Sequence, residues 1–401
     1  MRIDPEDCDA SGHVSHAGFQ RLFERARWDA LAAGPAMAAL RRAMATPVVR
    51  RATVEYLASA SPGDELRFDL RLTRVGTTSF TARQTAHRNG DDRLIAVAEF
   101  VLVCLDDEGA TVMPEELRAL AGDDTRTDGA LRIGVHGVEL AVELQGEGPA
   151  LLFIHGYPLS RGIWDHQVAH LDGTRRINPD LRGFGGSDAP DLGYSMATWA
   201  DDLAALLDAL GVERAVLCGL SMGGYVAFEF VRRYRQRVAG LILVDTRAGP
   251  DSEEGRKGRD AAIQVARDKG PGAIADQMLP KLFAPATLAG LPQVVGQVEA
   301  AIRNTPVAGI VGALAAMRDR PDSRPLLPTL SDIPTLVIVG SEDKITPPSE
   351  ARVMAEAIPG ASLREVPGAG HLAPVEKPEL VTAAIRGFLE GRVLGKVRSE
   401  K

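Results

Sequence analysis

The feature that most limits how this chain can fold is a set of short, unbroken apolar runs in its C-terminal two-thirds. Residues 151–154, 215–218 and 240–244 are each followed by glycine or polar residues and then by helical periodicity, and 335–339 runs into Gly340. Strands that are apolar along their whole length are buried on both faces. Separated by helices, they predict a parallel sheet with its functional loops at the carboxyl ends of the strands. Between the third and fourth runs, about 247–332, lies a mostly helical segment long enough to cap those loops.

One of these junctions carries chemistry. Gly219-Leu220-Ser221-Met222-Gly223 follows the 215–218 run and precedes helical periodicity from Tyr225 to Tyr234. Small residues on both sides of a serine allow the sharp strand-to-helix turn that exposes a nucleophile, with the amide of Met222 free to donate to a developing oxyanion. A bare glycine-rich turn is the plainer reading, and the strand before it and helix after it argue against that. A second donor, the amide of Tyr157, is expected from His155-Gly156-Tyr157-Pro158 after the 151–154 run, where the side chain of His155 reads as a structural hydrogen-bonding group. Downstream, Gly-Ser-Glu-Asp-Lys-Ile-Thr-Pro offers Asp343 as the orienting acid, with Glu342 as rival, and Pro-Gly-Ala-Gly-His offers His371 as the base. Ser, Asp and His in this order predict a triad that cleaves an ester, lactone or thioester without a metal.

The rest of the chain reads differently. Residues 122–129, GDDTRTDG, are polar and without periodicity, which predicts a linker between a first domain (1–121) and a second (130–393), with a tail at 394–401. In the first domain Phe19, Leu22, Phe23, Ala26 and Ala30 give one apolar helix face, followed by strand patterns at 48–58, 65–75, 79–87 and 94–105. A long helix on an antiparallel sheet is the simplest solution. Asp9, His13 and His16 lie just ahead of that helix; read plainly, Asp9 caps a turn and the histidines are surface groups.

A formal charge of −8 leaves no basic footprint for nucleic acid, and no apolar run approaches the ~20 residues needed to span a bilayer. Three scattered cysteines and an acidic N-terminus point to a reducing, cytoplasmic setting.

On these residues the second half resembles the α/β-hydrolase family, closest in pattern to bacterial enol-lactonases and cofactor-free haloperoxidase-like esterases. The resemblance spans 131 to about 392 and includes the Asp180-Leu-Arg-Gly-Phe-Gly-Gly-Ser-Asp188 turn and Trp164 with Gln167. Some relatives use an aspartate nucleophile for dehalogenation, which Ser221 argues against. Residues 1 to about 120 resemble hotdog-fold acyl-CoA thioesterases through Asp9, Gly12-His13-Val14 and Phe23-Glu24-Arg25-Ala26-Arg27-Trp28, with a lead-in before Asp9 that is short for a first strand. That resemblance implies Asp9 as a catalytic carboxylate, His16 in a supporting position, CoA as part of the substrate rather than a cofactor, and self-association through this domain. The expectation is a two-domain hydrolase of small-molecule esters, lactones or acyl-CoA, with Trp164, Met278 and Phe283 near the substrate. The alternatives are a single serine site beside a CoA-thioester-binding or dimerisation module, and a slow-turnover ligand sensor.

Overall fold

The computed structural model describes residues 1–33, 37, 40, 42, 46–75, 79–91, 93–106, 109–110 and 130–394. The expected linker at 122–129 and the end of the chain beyond Leu394 lie outside the described residues. Contacts divide the chain into two compact units, one of Met1–Asp128 with Asp208–Gly211 and one of Gly129–Leu207 with Val212–Lys401.

In the first unit, helix α1 (His16–Ala33) precedes strands β1 (Thr46–Tyr56), β2 (Leu66–Val75), β3 (Ser79–Arg88), β4 (Leu94–Asp106) and the short β5 (Gly109–Ala110). The sheet is antiparallel, in the order β1-β4-β3-β2 with β5 on β4. Phe19, Leu22, Phe23 and Ala26 of α1 are buried, and the Phe23 ring stands edge-on to Phe68 of β2 at 5.4 Å and Phe100 of β4 at 6.1 Å. The expected helix face ends there: Ala30 is exposed, and Arg27 is buried in its place. The Arg27 guanidinium donates to Gln84 Oε1 at 3.0 Å and lies over the Phe100 ring, so a partnered cation extends the face that apolar periodicity alone had assigned to alanine. The short lead-in still reaches the sheet, through a single antiparallel bridge from Arg2 to Glu65.

The second unit is built on an eight-stranded sheet in the order β13-β12-β11-β10-β8-β9-β7-β6. Its strands are β6 (Leu131–Val135), β7 (Val138–Gln145), β8 (Ala150–Ile154), β9 (Arg175–Pro179), β10 (Ala215–Leu220), β11 (Val238–Val244), β12 (Thr335–Gly340) and β13 (Ser362–Val366). β9, β8, β10, β11, β12 and β13 run parallel, and the β6/β7 hairpin joins antiparallel to β9. Every residue of β8, β10 and β12 is buried, as the continuous apolar runs require. The chain goes from β8 outward to β9 and returns to β10 on the other side, so the loops after β8 and β10 diverge at a topological switch point. Helix α2 (Met222–Tyr234) follows β10. Between β11 and β12 stand α3 (Glu253–Leu282, broken at Gly270 where φ is 73°), α4 (Pro285–Gly290), α5 (Pro292–Arg303) and α6 (Val307–Arg318), the segment expected to form the cap. Among the described residues no single helix is long and apolar enough to cross a membrane.

Candidate active site

Ser221 sits between β10 and α2 with φ at 52° and ψ at −110°, a left-handed backbone that side-chain-bearing residues adopt only at a cost. The turn is so tight that a Cβ on Gly223 would lie 2.1 Å from the Ile154 carbonyl oxygen, and one on Gly219 would lie 2.4 Å from that of Gly223. Glycine is therefore required at both positions, and the serine is pinned from below. Its amide donates to the Val244 carbonyl at 2.9 Å, and Thr246 Oγ1 donates to its carbonyl at 2.7 Å.

The other two side chains converge on it. His371 Nε2 lies 2.9 Å from Ser221 Oγ, and His371 Nδ1 lies 2.8 Å from Asp343 Oδ2. A carboxylate facing Nδ1 keeps the imidazole proton on that nitrogen, which donates to it, and leaves Nε2 as the acceptor for the serine hydroxyl. Asp343 Oδ1 accepts from the amides of Ile345 and Thr346, and Oδ2 also accepts from Thr346 Oγ1 at 2.7 Å. Burial pushes the Asp343 carboxyl up, but the facing imidazole and these donors outweigh it and hold the group below the usual carboxylate range. Glu342 is exposed and engages the site only through its backbone, its amide donating to Ala369.

On the other side of the serine, a Cβ on Gly156 would come within 3.3 Å of Ser221 Cβ, so the loop after β8 passes directly against Ser221. His155 is fully buried: its Nε2 accepts from the Leu181 amide at 3.0 Å, and its Nδ1 bonds the Gly156 carbonyl at 2.9 Å. Burial keeps it neutral, pushing its pKa below the ordinary histidine value. The imidazole thus braces the loop that presents the Tyr157 amide. Met222, as first residue of α2, has no intrahelical acceptor for its own amide.

The residues expected around the substrate divide. Phe283 is buried, and it follows Leu282, whose carbonyl accepts from the His371 amide at 2.9 Å, so its backbone runs against the histidine loop. Met278 is half-buried. Trp164 is wholly buried, its ring tilted at 37° to that of Phe153 of β8 at 5.1 Å, and among the described residues its indole N–H has no partner. A cavity of about 250 Å³ lies between the loop after β8 and α5, walled by Leu159, Ile163, Val294, Val298, Ala301 and Val375, and none of these three expected residues lines it. The helical pattern around Pro292–Arg303 was the only signal for that wall, and by itself it cannot say which face is turned to a cavity.

In the first unit, Asp9 is exposed and closes a turn on itself. Its Oδ1 accepts from the amide and hydroxyl of Ser11 and, at 3.4 Å, from the amide of His13. The Ser11 hydroxyl, then the Ser11 and His13 amides, hold its carboxyl below the ordinary value. His16, on the first turn of α1, faces the Tyr56 hydroxyl and Gln20 instead, so no hydrogen bond joins Asp9 to His16. Among the described residues no group of three or more His, Cys, Asp or Glu is arranged to hold a metal ion.

Residues 149–378 match the family described as alpha/beta hydrolase fold, and residues 3–120 match the thioesterase-like superfamily. This chain belongs to the α/β-hydrolase fold family and carries a thioesterase-like domain ahead of its hydrolase domain. Among its relatives, 3-oxoadipate enol-lactonase 2 of Acinetobacter baylyi is 29% identical over 251 residues, 61% of this chain and 90% of that protein. A thermophilic esterase from Thermogutta terrifontis, solved with malate bound, is 46% identical, with 65% of this chain and 97% of that one covered at a TM-score of 0.62. The enol-lactonase of Burkholderia xenovorans LB400 is 30% identical, with 65% and 100% covered at a TM-score of 0.61.

Proposed function

We propose that this protein is a two-domain hydrolase in which Ser221, His371 and Asp343 cleave a carboxylic ester or lactone, and the first domain, through Asp9, acts on an acyl-CoA thioester. The observation that carries the serine reading is the unbroken relay from Asp343 Oδ2 through both His371 nitrogens to Ser221 Oγ, at 2.8 and 2.9 Å. In this reading His371 Nε2 takes the hydroxyl proton as Oγ attacks the carbonyl carbon. The amides of Met222 and Tyr157 receive the oxyanion, and Asp343 stabilises the imidazolium that forms. The proton passes to the leaving oxygen as the acyl bond breaks. A water deprotonated by the same imidazole then releases the acid. The enol-lactonase and esterase relatives support a small oxygen ester or lactone as substrate.

Asp9 fits a general base because its Oδ2 takes none of the hydrogen bonds that hold Oδ1. A second reading, in which the first domain binds a CoA thioester or brings copies of the chain together without turnover, is favoured by the missing link between Asp9 and His16. The three cysteines are unpaired, which fits a reducing cytoplasmic setting.

The test is one panel of short esters, lactones and acyl-CoA thioesters, run on the protein and on Ser221→Ala and Asp9→Ala. Ester or lactone cleavage lost only in Ser221→Ala, with acyl-CoA cleavage lost only in Asp9→Ala, supports two sites. Acyl-CoA cleavage untouched by Asp9→Ala assigns the first domain to binding or assembly.

A further inference from the structure

We propose that Glu376 is a positioning residue that couples the cap to the catalytic base, so that where the α3–α4 junction sits determines where the His371 imidazole sits. The inference rests on the serine-hydrolase reading above. Glu376 is 3% exposed, and among the described residues no cation pairs with it. Its two oxygens are instead divided between two parts of the unit. Oε1 accepts from the amides of Gly370 at 2.8 Å and Leu372 at 3.2 Å, the residues on either side of His371. Oε2 accepts from the Ala284 amide at 2.8 Å and Thr287 Oγ1 at 2.7 Å, the cap and first turn of α4.

The amide of His371 itself donates to the carbonyl of Leu282, the last residue of α3. Residues 370, 371 and 372 are therefore each hydrogen-bonded either to Glu376 or to the cap. The approach is close: a Cβ on Gly370 would lie 2.5 Å from the Ala284 nitrogen. A buried carboxylate costs free energy unless its lone pairs are filled, and an apolar side chain could occupy this space without that cost. What four directed bonds provide, and apolar packing would not, is a fixed registration between the loop that carries the base and the segment that follows α3. A shift of α4 relative to the sheet moves the donors on Oε2, tilts the carboxylate, and moves the two amides that frame His371. Proton transfer to Nε2 is sensitive to such displacements, since a misplacement of about 1 Å can cost about 100-fold in rate.

The test uses the full chain, Glu376→Gln and Thr287→Ala, with a short p-nitrophenyl ester as substrate and rates divided by the sites titrated with a fluorophosphonate. Glutamine keeps one acceptor oxygen but turns an NH₂ group toward two donors. Thr287→Ala removes only the hydroxyl on the cap side and leaves the amides beside His371 bonded. The expected result is a fall in kcat per titrated site of about 10- to 100-fold for Glu376→Gln, and about three- to tenfold for Thr287→Ala, with KM changed less than about threefold in each. If both variants keep kcat per titrated site within about twofold and lose only thermal stability, Glu376 is scaffolding and the proposal is overturned. Should Glu376→Gln not fold, Thr287→Ala decides alone. Fluorophosphonate labelling of the wild type at Ser221 checks the underlying reading separately: unlabelled wild type overturns that reading and this one together, whereas labelled wild type with unchanged variants overturns only the role of Glu376.

Discussion

Thr346 shows how far a single residue reaches in this site. Its hydroxyl and amide both bond the carboxylate that faces His371, and its Oγ1 also lies 3.3 Å from His371 Nδ1. Thr346→Val keeps the shape and removes the hydroxyl. One hydrogen bond to a charged group, about 1.5–3 kcal/mol, is lost, so the melting temperature is expected to fall by several degrees, and kcat/KM for a short ester to fall about tenfold or somewhat more as the carboxylate facing His371 loses a tether. Asp245 is a second case. Fully buried at the end of β11, it accepts from the amides of Gly340 and Ala373. Burial, and then the neighbouring Asp343, push its carboxyl well above the ordinary range. A raised folded-state pKa means that the folded chain holds a proton the unfolded chain releases above about pH 4. This group's contribution to stability therefore declines as pH rises from there toward the folded value. The melting temperature of Asp245→Asn relative to wild type is expected to be more favourable at about pH 7.5 than at about pH 4.5, and an unchanged difference would contradict the protonated assignment. The choice of Asp343 over Glu342 was legible in principle, because a threonine three residues after an aspartate forms a side-chain-closed turn that the preceding glutamate cannot form. Arg27 and Trp164 were both picked out in the sequence, but not their burial, Arg27 on Gln84 and Phe100 and Trp164 on Phe153: whether a long side chain is buried depends on strands distant in the chain.

Elements were readable where burial makes them uniform. β8, β10, β11 and β12 were visible as continuous apolar runs because both faces are covered. β9 was invisible for the opposite reason. Arg-Arg-Ile-Asn-Pro reads as loop, yet Arg176 and Asn178 are buried there, with Arg176 donating to the Leu171 carbonyl at 2.6 Å and Asn178 to Glu143 and the Arg161 carbonyl. Polar residues become strand residues once other loops satisfy them. The β6/β7 hairpin did leave a signal, Leu131, Ile133 and Val135 alternating up to His136-Gly137, whose φ values of 43° and 77° make the turn. At the elbow between β10 and α2 the fit is tight enough to test directly. Gly223→Ala would drive a methyl group into the Ile154 carbonyl, and a loss of about 1–3 kcal/mol or more is expected in chemical denaturation, together with loss of activity as β8 and α2 separate. Denaturation unchanged within about 0.5 kcal/mol would mean that the elbow is looser than these distances.

At the scale of the molecule, each unit has its own core: Phe19, Phe23, Phe80 and Phe100 in the first, and the apolar faces of β8, β10, β11 and β12 in the second. The change from one helix with four strand patterns to alternating strands and helices was visible along the chain, since each architecture imposes its own period. The convergence of Ser221, Asp343 and His371 was also visible, as an order of motifs at strand ends, whereas the cap's grip on the histidine loop through Glu376 was not, because it depends on a fold-wide return of the chain. Whether Ser221 forms a covalent acyl intermediate is read by rapid mixing of the protein with p-nitrophenyl acetate, followed by intact-mass and peptide analysis. A burst of nitrophenol equal to the concentration of protein and an acetyl group on the peptide containing Ser221 are expected, both absent in Ser221→Ala. An acetyl group on a peptide other than the one containing Ser221, or a burst that survives in Ser221→Ala, would mean that another group is the nucleophile.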